Sequence, residues 1–257
     1  MDSTLLKGLS VLEALAASSE PRGVSDLARE LGRPKSNIHR TLQSLQAAGY
    51  VTAGAGGVYA CSLKLFELGN AIADRVDVRT LAQPAMERLA AQTRETVHLA
   101  LLDGWEVIYL HKIESSEPVR AYSRVGGRAP AHCVASGKAL LAYQPASLLA
   151  ELPPVLDSYT EATTTEADAV RGELETVRQQ GYAVNRGEWR AEVGGLAAVV
   201  LGPGGVPAAA LGVSGPLSRI EPGTDDHIAA VRTAARDASI AMGCSRYDQL
   251  ISTWEGD

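Results

Sequence analysis

The chain has 257 residues, of which 46% are hydrophobic and 21% charged, so it can bury a sizeable core and is not of the disordered class. The net charge of −6 by itself argues against a nucleic-acid partner. However, residues 1–64 carry seven Lys/Arg and five Asp/Glu, or +2, whereas the remainder carries 17 and 25, or −8, so the amino-terminal part tolerates an anionic partner. Three scattered cysteines, an opening stretch broken by Lys7 and Glu13, and no apolar run near the ~20 residues of a membrane span predict a cytoplasmic protein without a membrane partner.

The amino-terminal elements follow the order of a small DNA-binding module. Ser25 suits the N-cap of a short second helix that Gly32 ends, and Gly49 suits the end of a third. A glycine-rich tip separates two short β-rich runs. In chain order, we predict helices over residues 4–18, 26–31 and 34–48 and strands over residues 50–52 and 58–60. Three helices followed by a hairpin predict a winged helix-turn-helix.

The third helix presents an outward face that suits DNA. Ile38, Leu42 and Leu45 lie on one side at helical spacing, and no carboxylate occurs between Glu30 and Glu67. Carboxylates would be repelled by phosphate, whereas Arg, Asn, Gln and Ser donate to phosphates and base edges. The predicted DNA-binding residues are Arg22, Lys35, Ser36, Asn37, His39, Arg40, Gln43 and Ser44.

Two features of this unit have alternative interpretations. The predicted wing has no Lys or Arg between Arg40 and Lys64, so its contact with DNA would involve backbone and glycine. Arg22 is placed to meet a phosphate, and a free surface charge is an equal alternative. For the third helix, the alternative is a polar face in a winged helix that binds protein.

Beyond a predicted linker helix, the pattern changes to mixed α and β. Antiparallel strands with helices predict an α+β sensor-like domain. The chain thus divides into a DNA-binding domain over residues 1–62, a linker helix over 63–78 and an effector-binding domain over 79–257. Predicted within the last are helices near 80–93, 136–143, 166–180 and 224–242, a hairpin at Asp103-Gly104, a third strand in 118–126 and two buried strands within 195–215.

The stretch from residue 126 to 142 carries the second candidate site. Ser136, Gly137 and Lys138 open a helix after an irregular loop, where free N–H groups can bind a carboxylate. The equal alternative is a helix start with Gly137 closely packed and Lys138 in water. The Walker spacing is absent.

His132 and Cys133 suggest a nucleophile, but adjacent side chains of an extended segment point in opposite directions. We therefore expect a hydrogen-bonded His132, a buried Cys133 and no catalytic residue. Histidines without i, i+4 partners predict no metal site, and no cofactor is expected. Charged residues around Trp189 are typical of a solvated loop.

Two rival functions use the same residues. One is a cytoplasmic hydrolase based on Cys133 or Ser136, which lacks an evident base and leaves the amino-terminal helices unexplained. The other is a thiol-based redox sensor in which Cys133 is oxidised.

Several blocks in order resemble the isocitrate lyase regulator (IclR) family of bacterial transcription factors. The resemblance runs from Leu5 to about Met242. It is carried by "LLKGLSVLEAL", "ARELGRPKSNIHRTLQSLQAAGYV", "GGRAPAHCVASGKALLA", "QQGYAVNRGEWRAEVGGLAA" and "AALGVSGPLSRI". It implies a winged helix-turn-helix, a linker helix and a GAF-like effector-binding domain. It also implies a homodimer, which often pairs into a tetramer, on near-palindromic operator DNA.

The resemblance further implies a pocket for a small organic acid or an aromatic. Members that bind small keto acids often carry an acidic residue where this chain has Asn185. The uncharged Asn185, together with the small Ala129 and Gly195, implies a roomier pocket that binds a larger ligand. Trp105 and Trp189 could line such a pocket. The implied effector-binding residues are Ala129, Cys133, Ala135, Ser136, Asn185, Val193, Gly195, Gly212 and Ser214.

Overall fold

The computed structural model describes residues 3–73, 78–119, 123–221 and 224–253. The chain divides into two compact units, residues 1–76 and 77–257, and each has its own cluster of buried apolar side chains. Among the described helices, none is both long and apolar enough to cross a bilayer.

The first unit contains the predicted helices and hairpin. A three-stranded antiparallel sheet of order β1-β3-β2 lies beside the helices. Its elements are α1 (Ser3–Ala16), β1 (Arg22–Gly23), α2 (Val24–Glu30), α3 (Lys35–Ala47), β2 (Val51–Ala53), β3 (Val58–Cys61) and α4 (Leu63–Ala73).

The start of α2 differs from the prediction. Arg22 pairs with Tyr59 of β3, which keeps the chain extended up to Gly23. The helix therefore begins at Val24, and Gly23 rather than Ser25 is its N-cap, with no side-chain cap. The two-residue strand β1 has no signal of its own in the sequence.

The apolar stripe of α3 faces the core of this unit, as its spacing predicted. Ile38 and Leu42 are buried and belong to the same cluster as Leu27 of α2 and Val11 of α1. Gly32 makes the tight turn between α2 and α3 with φ of +60°, a conformation that glycine adopts without steric cost. This packing leaves the opposite face of α3 outward.

The predicted linker helix is seen in part. Helix α4 extends to Ala73, residues 74–77 lie outside the described part of the chain, and a separate element begins at Val78.

The second unit is a six-stranded antiparallel sheet of order β6-β5-β4-β9-β8-β7 with helices packed on it. Its strands are β4 (Thr96–Asp103), β5 (Glu106–Ile113), β6 (Arg128–Pro130), β7 (Ala183–Arg186), β8 (Val193–Leu201) and β9 (Pro207–Pro216). Its helices are α5 (Val78–Thr93), α6 (Ala135–Leu141), α7 (Ala146–Ala150), α8 (Ala167–Gln180), α9 (Leu217–Ile220), α10 (Thr224–Ala241) and α11 (Tyr247–Thr253).

Strand β8 shows how the helices cover this sheet. Every residue from Gly194 to Leu201 is buried, because α10 packs against the strand and α6 packs against it as well. Continuous burial of this kind indicates a strand covered on both faces. The glycine-rich connection to β9 and the two-residue turn at Gly104 between β4 and β5 lie where the sequence placed them.

Two predicted details of this unit are wrong, and one strand was missed. The described residues of 118–126 are not a strand, because the chain joins β5 only later: Gly126 N–H donates to Tyr109 O and Tyr109 N–H to Gly127 O, and the strand follows as β6. Residues 120–122 lie outside the described ranges. The helix predicted as the last, α10, is followed by α11, and the short edge strand β7 was not predicted.

Candidate functional site

The predicted DNA-contacting residues of α3 all lie on its exposed face. This holds for Lys35, Ser36, Asn37, His39, Arg40, Gln43 and Ser44. The surface is therefore open to a partner and not part of the core. The same face bears no carboxylate from its own helix.

The cations of this face are available for a ligand. Within the described part of the chain, the contact of the Arg40 guanidinium is a long one of 3.5 Å, from Nη2 to Asn37 Oδ1. Ser44 Oγ donates to the Arg40 carbonyl at 3.1 Å. Within the described residues neither Lys35 nor Arg40 forms an ion pair. Positive charge and amide groups thus stand on one surface of one helix.

Arg22 is less available than predicted. Its Nη2 lies 2.7 Å from Glu30 Oε2, and its side chain is 24% exposed. The wing tip between β2 and β3 is exposed, with Gly56 and Gly57 at positive φ, so only backbone and small groups protrude there. A contact of Arg22 with phosphate stays a prediction.

Arg33 orients the turn before α3, and sequence reasoning did not single it out. Its Nη1 donates to the Lys7 carbonyl at 3.2 Å and to Ser10 Oγ at 2.8 Å. These bonds tie the turn to α1, and both partners lie more than 20 residues away in sequence, so spacing gives no indication of them.

In the second unit, a single pocket brings together seven of the nine predicted effector residues. It lies between the start of α6 and strands β4, β7, β8 and β9, and its volume is about 50 Å³. The seven are Ala135, Ser136, Asn185, Val193, Gly195, Gly212 and Ser214. These seven residues are separated by up to 79 positions in the sequence (214 minus 135), and the fold brings them together around one pocket.

The other two predicted residues do not line this pocket. Ala129 lies in β6, paired with Val107, and is buried. Cys133 is fully buried, and burial, with Glu188 adding to the effect, raises the pKa of its thiol to about 12. A thiol that stays protonated is a poor nucleophile and a slow target for oxidation, which weighs against the hydrolase and redox-sensor interpretations.

The expectation of a roomy pocket is wrong for this inner space. A side chain at Gly195 would point at Val213 O and the Cβ atoms of Ser214 and Ala135, and one at Gly212 would collide with Leu196 O. These glycines therefore allow close packing of strands and do not open a cavity. Trp105, one of the two predicted wall residues, packs against the core instead, whereas Trp189 does line the pocket.

His98 is a pocket residue that the sequence did not indicate. It lies on β4, its Nε2 is 2.8 Å from Ser214 Oγ, and its ring centroid is 4.8 Å from that of Tyr109. Burial, together with Lys112, lowers the pKa of His98 to about 4, so the ring is neutral near pH 7. Its Nδ1 and the Oγ of Ser123 are buried without a hydrogen-bond partner among the described residues.

Unsatisfied buried polar atoms are uncommon in folded proteins. Both atoms, on His98 and Ser123, belong to residues that line the pocket, so a ligand bound there is a candidate partner for them. Tyr109, Ser123 and Arg190 also line the pocket, and burial raises the pKa of Tyr109 to about 12 despite the nearby Arg190. The walls therefore combine neutral hydrogen-bonding groups and one arginine with apolar side chains, namely Val134, Leu196, Ala197 and Val213.

A buried ion cluster holds the loop next to this pocket. Lys138 is fully buried, and its Nζ lies 2.7 Å from Glu188 Oε2 and 2.6 Å from Glu173 Oε1. The alternative that placed Lys138 in water is wrong, and the expectation of a solvated loop fails at Glu188, although Arg190 and Glu192 are exposed. The same alternative placed Gly137 in close packing, which the structure shows, because a Cβ there would overlap the Ala131 backbone.

Glu188 connects the ion cluster to the pocket wall. Its N–H donates to Asn185 Oδ1 at 2.9 Å, and its carboxylate accepts from the Arg186 N–H at 3.2 Å. Burial raises the pKa of Glu188, an effect that Lys138 opposes. The next two residues, Trp189 and Arg190, are thereby held at the edge of the pocket.

An extended segment was expected at His132. The chain instead forms a single 3-10 turn over Ala131–Cys133. The outcome for the side chains is as expected: Cys133 is buried and His132 Nε2 lies 3.1 Å from Asp157 O. Among the described residues, no group of three or more His, Cys, Asp and Glu side chains is arranged to hold a metal ion.

Comparison with known proteins assigns both units. A model for the IclR helix-turn-helix domain matches residues 4–54, and one for the C-terminal domain of the bacterial transcriptional regulator IclR matches residues 70–240. The HTH-type transcriptional regulator KdgR of Escherichia coli (strain K12) is 35% identical over 252 residues, covering 95% of this chain and 94% of its own.

Solved structures agree with that assignment. An ICLR transcriptional regulator from a Silicibacter species superposes with a TM-score of 0.82 at 30% identity, covering 94% of this chain and 96% of its own. An IclR homologue from Microbacterium hydrocarbonoxydans, complexed with 4-hydroxybenzoate, gives 0.59 at 29% identity, covering 95% and 100%.

Proposed function

We propose, from the premise that this chain belongs to the IclR family of bacterial transcriptional regulators, that α3 is the helix by which it reads operator DNA. Members of this kind bind DNA and respond to small metabolites, and this chain is such a regulator. The roles of its segments are part of the proposal: residues 1–62 bind DNA, residues 63–78 form the linker helix between the domains, and residues 79–257 bind the effector.

The observation that carries the DNA-binding role is the exposed, carboxylate-free face of α3. Lys35 and Arg40 meet phosphate or guanine there, and Ser36 and Asn37 read or position base edges in the major groove. His39, Gln43 and Ser44 extend the same surface, and Arg22 adds a phosphate contact if it leaves Glu30.

The pocket between the start of α6 and strands β4, β7, β8 and β9, which we call the inner pocket, is the proposed effector site. Two hydrogen-bonding atoms without partners, on His98 and Ser123, support ligand binding there, as does the convergence of Ser136, Asn185 and Ser214. The effector is a small organic acid or aromatic. Its binding shifts an equilibrium between arrangements of a homodimer, or a dimer of dimers, and so changes the spacing of the two α3 helices. The protein works in the cytoplasm, where its DNA lies, and is not an enzyme.

The test of the DNA-binding role is footprinting and gel-shift titration on the DNA upstream of the chain's own gene. Arg40→Ala should weaken binding by about 1–3 kcal/mol, or about 5- to 150-fold in Kd, because it removes a charge-assisted contact. Arg88→Ala is the matched control, since Arg88 is an exposed arginine of the second unit paired with Asp237. A protein that protects no duplex there, or an Arg40→Ala variant with unchanged Kd, contradicts the proposal.

A further inference from the structure

The inner pocket shares part of its wall with a second, larger cavity of about 200 Å³ that no part of the proposed function uses. Four residues line both spaces: Tyr109, Ser123, Trp189 and Arg190. The two spaces are therefore neighbouring compartments of one site, and we call the second the vestibule. A ligand longer than the inner pocket would reach into it.

The vestibule is rich in arginine. Arg128 on its wall is neutralised by Asp103 and Glu106. Arg124 and Arg190 also line it, are exposed, and form no ion pair within the described residues. The guanidinium of Arg190 lies 4.7 Å from the Trp189 ring, a cation–π contact that orients it. Two guanidinium groups that form no ion pair within the described residues thus line the vestibule.

The inner pocket has the opposite character. Its polar side chains other than Arg190 are neutral: His98 is uncharged near pH 7, and Ser136, Asn185 and Ser214 are hydroxyls and an amide. Transfer of a carboxylate into such a space costs much more free energy than transfer of a hydroxyl or carbonyl, unless a cation accompanies it. The unpartnered His98 Nδ1 can bond a neutral group without that cost.

We propose that Arg124 and Arg190 form an outer subsite that binds the carboxylate of the effector, while a hydroxyl or carbonyl at its opposite end occupies the inner pocket. The effector class is a hydroxy or oxo carboxylic acid whose two polar ends are separated by the length of the site. This inference rests on the proposed effector role of the inner pocket and adds the orientation of the ligand in it.

The orientation predicts how charge and position contribute to affinity. The acid should bind more tightly than its own primary amide, because only the carboxylate makes bidentate, charge-assisted bonds to arginine. Loss of Arg190 or Arg124 should abolish that preference. Loss of the Ser214 hydroxyl should weaken acid and amide alike, because both place the same neutral group beside it.

The experiment pairs acids with their amides on the full-length protein. The probes are 4-hydroxybenzoate, 4-hydroxybutanoate and 4-oxopentanoate with the three matching amides, followed by thermal shift and by tryptophan fluorescence, to which Trp189 reports. At least one acid should bind about tenfold more tightly than its amide. Arg190→Gln and Arg124→Gln should bring the acid down to the level of the amide. Arg186→Gln, an exposed arginine of β7 that lines neither space, is the control.

The possible outcomes distinguish a wrong outer subsite from a wrong inner pocket. If Ser214→Ala weakens binding but Arg190→Gln and Arg124→Gln do not, the pocket is right and the outer subsite is wrong. If no acid binds more tightly than its own amide, the outer subsite is also wrong. If none of the three acids binds while the protein still protects DNA, the outer subsite is rejected and the DNA-binding role stands.

Discussion

At the scale of single residues, His98 makes the stability of the effector unit depend on pH. Its pKa in the folded chain is about 4, below the ordinary 6.5, because burial disfavours the charged ring. Between about pH 6.5 and pH 4, the His98 ring is therefore protonated in the unfolded chain but neutral in the folded chain. The stability that the neutral ring contributes is complete above pH 6.5 and is lost as pH falls toward 4.

This sign gives a measurable prediction. Lowering the pH from 7.5 to 5.0 should reduce the free energy of unfolding by about 2 kcal/mol through His98 alone, from 1.36 kcal/mol per pKa unit. Urea titrations of wild type and His98→Gln at both pH values measure it, and the variant should lose about that much of the pH effect. His39→Gln, at an exposed site, serves as the control. An identical pH effect in wild type and His98→Gln would exclude this role.

Residue roles were predictable where a local pattern or the resemblance pointed to them, and not where the partner lies far along the chain. The outward side chains of α3 follow from the positions of Ile38 and Leu42 alone. By contrast, Lys138 pairs with Glu188, which lies 50 residues away in sequence, and His98 hydrogen-bonds to Ser214, which lies 116 residues away. Only the pairing of β4 with β9 and the packing of α6 create these contacts, so a lone lysine or histidine in sequence carries no sign of them.

At the scale of elements, the stability of α3 as a helix and its proposed contact with DNA place opposite requirements on its first turn. A carboxylate there would stabilise the helix through the macrodipole, by about 0.3–1 kcal/mol at an exposed position. The chain nevertheless has no acidic residue in that turn. A surface selected only for helix stability would gain from one, whereas a surface facing phosphate would not.

Ser36→Glu separates these two demands. The variant should have equal or slightly higher thermal stability, because Ser36 is exposed in the first turn, and should bind operator DNA at least about tenfold more weakly, because its charge is repelled by phosphate. Differential scanning calorimetry and gel shift on the same preparation give both values. Ser36→Gln, similar in length but uncharged, is the control. Wild-type affinity in Ser36→Glu would place the DNA elsewhere.

Long periodic elements were predictable and short edge elements were not. Helices α1, α3, α8 and α10 and the β4–β5 hairpin carry enough apolar spacing or turn chemistry to identify them. Strands β1 and β7 have two and four residues and become strands only because β3 and β8 offer them partners. Their existence is a tertiary effect that local propensity does not encode.

At the scale of the whole molecule, the α+β class follows from the change of pattern after α4, but the strand order does not. The sheet places β9 between β4 and β8, so the pocket is built from segments that begin at Thr96, Ala135 and Pro207. The resemblance supplied seven residues of that pocket. It did not supply the vestibule, which the fold forms by bringing Arg124 and Arg190 to one cavity with Tyr109.

The charge of the whole molecule leads to the last prediction. A chain of net charge −6 is repelled by DNA as a whole, so we expect binding to depend on a few cations such as those of α3. The salt dependence of the affinity then reports how many cations contact phosphate. Plots of log K against log salt should be linear, with a slope that becomes about one unit less steep in Lys35→Ala if Lys35 contacts phosphate. Arg40→Ala should show the same change if it meets phosphate, and an unchanged slope with lower affinity if it meets guanine. Equal slopes and equal affinities in wild type and both variants would mean that neither cation lies at the DNA, and α3 would lose its role as the reading helix.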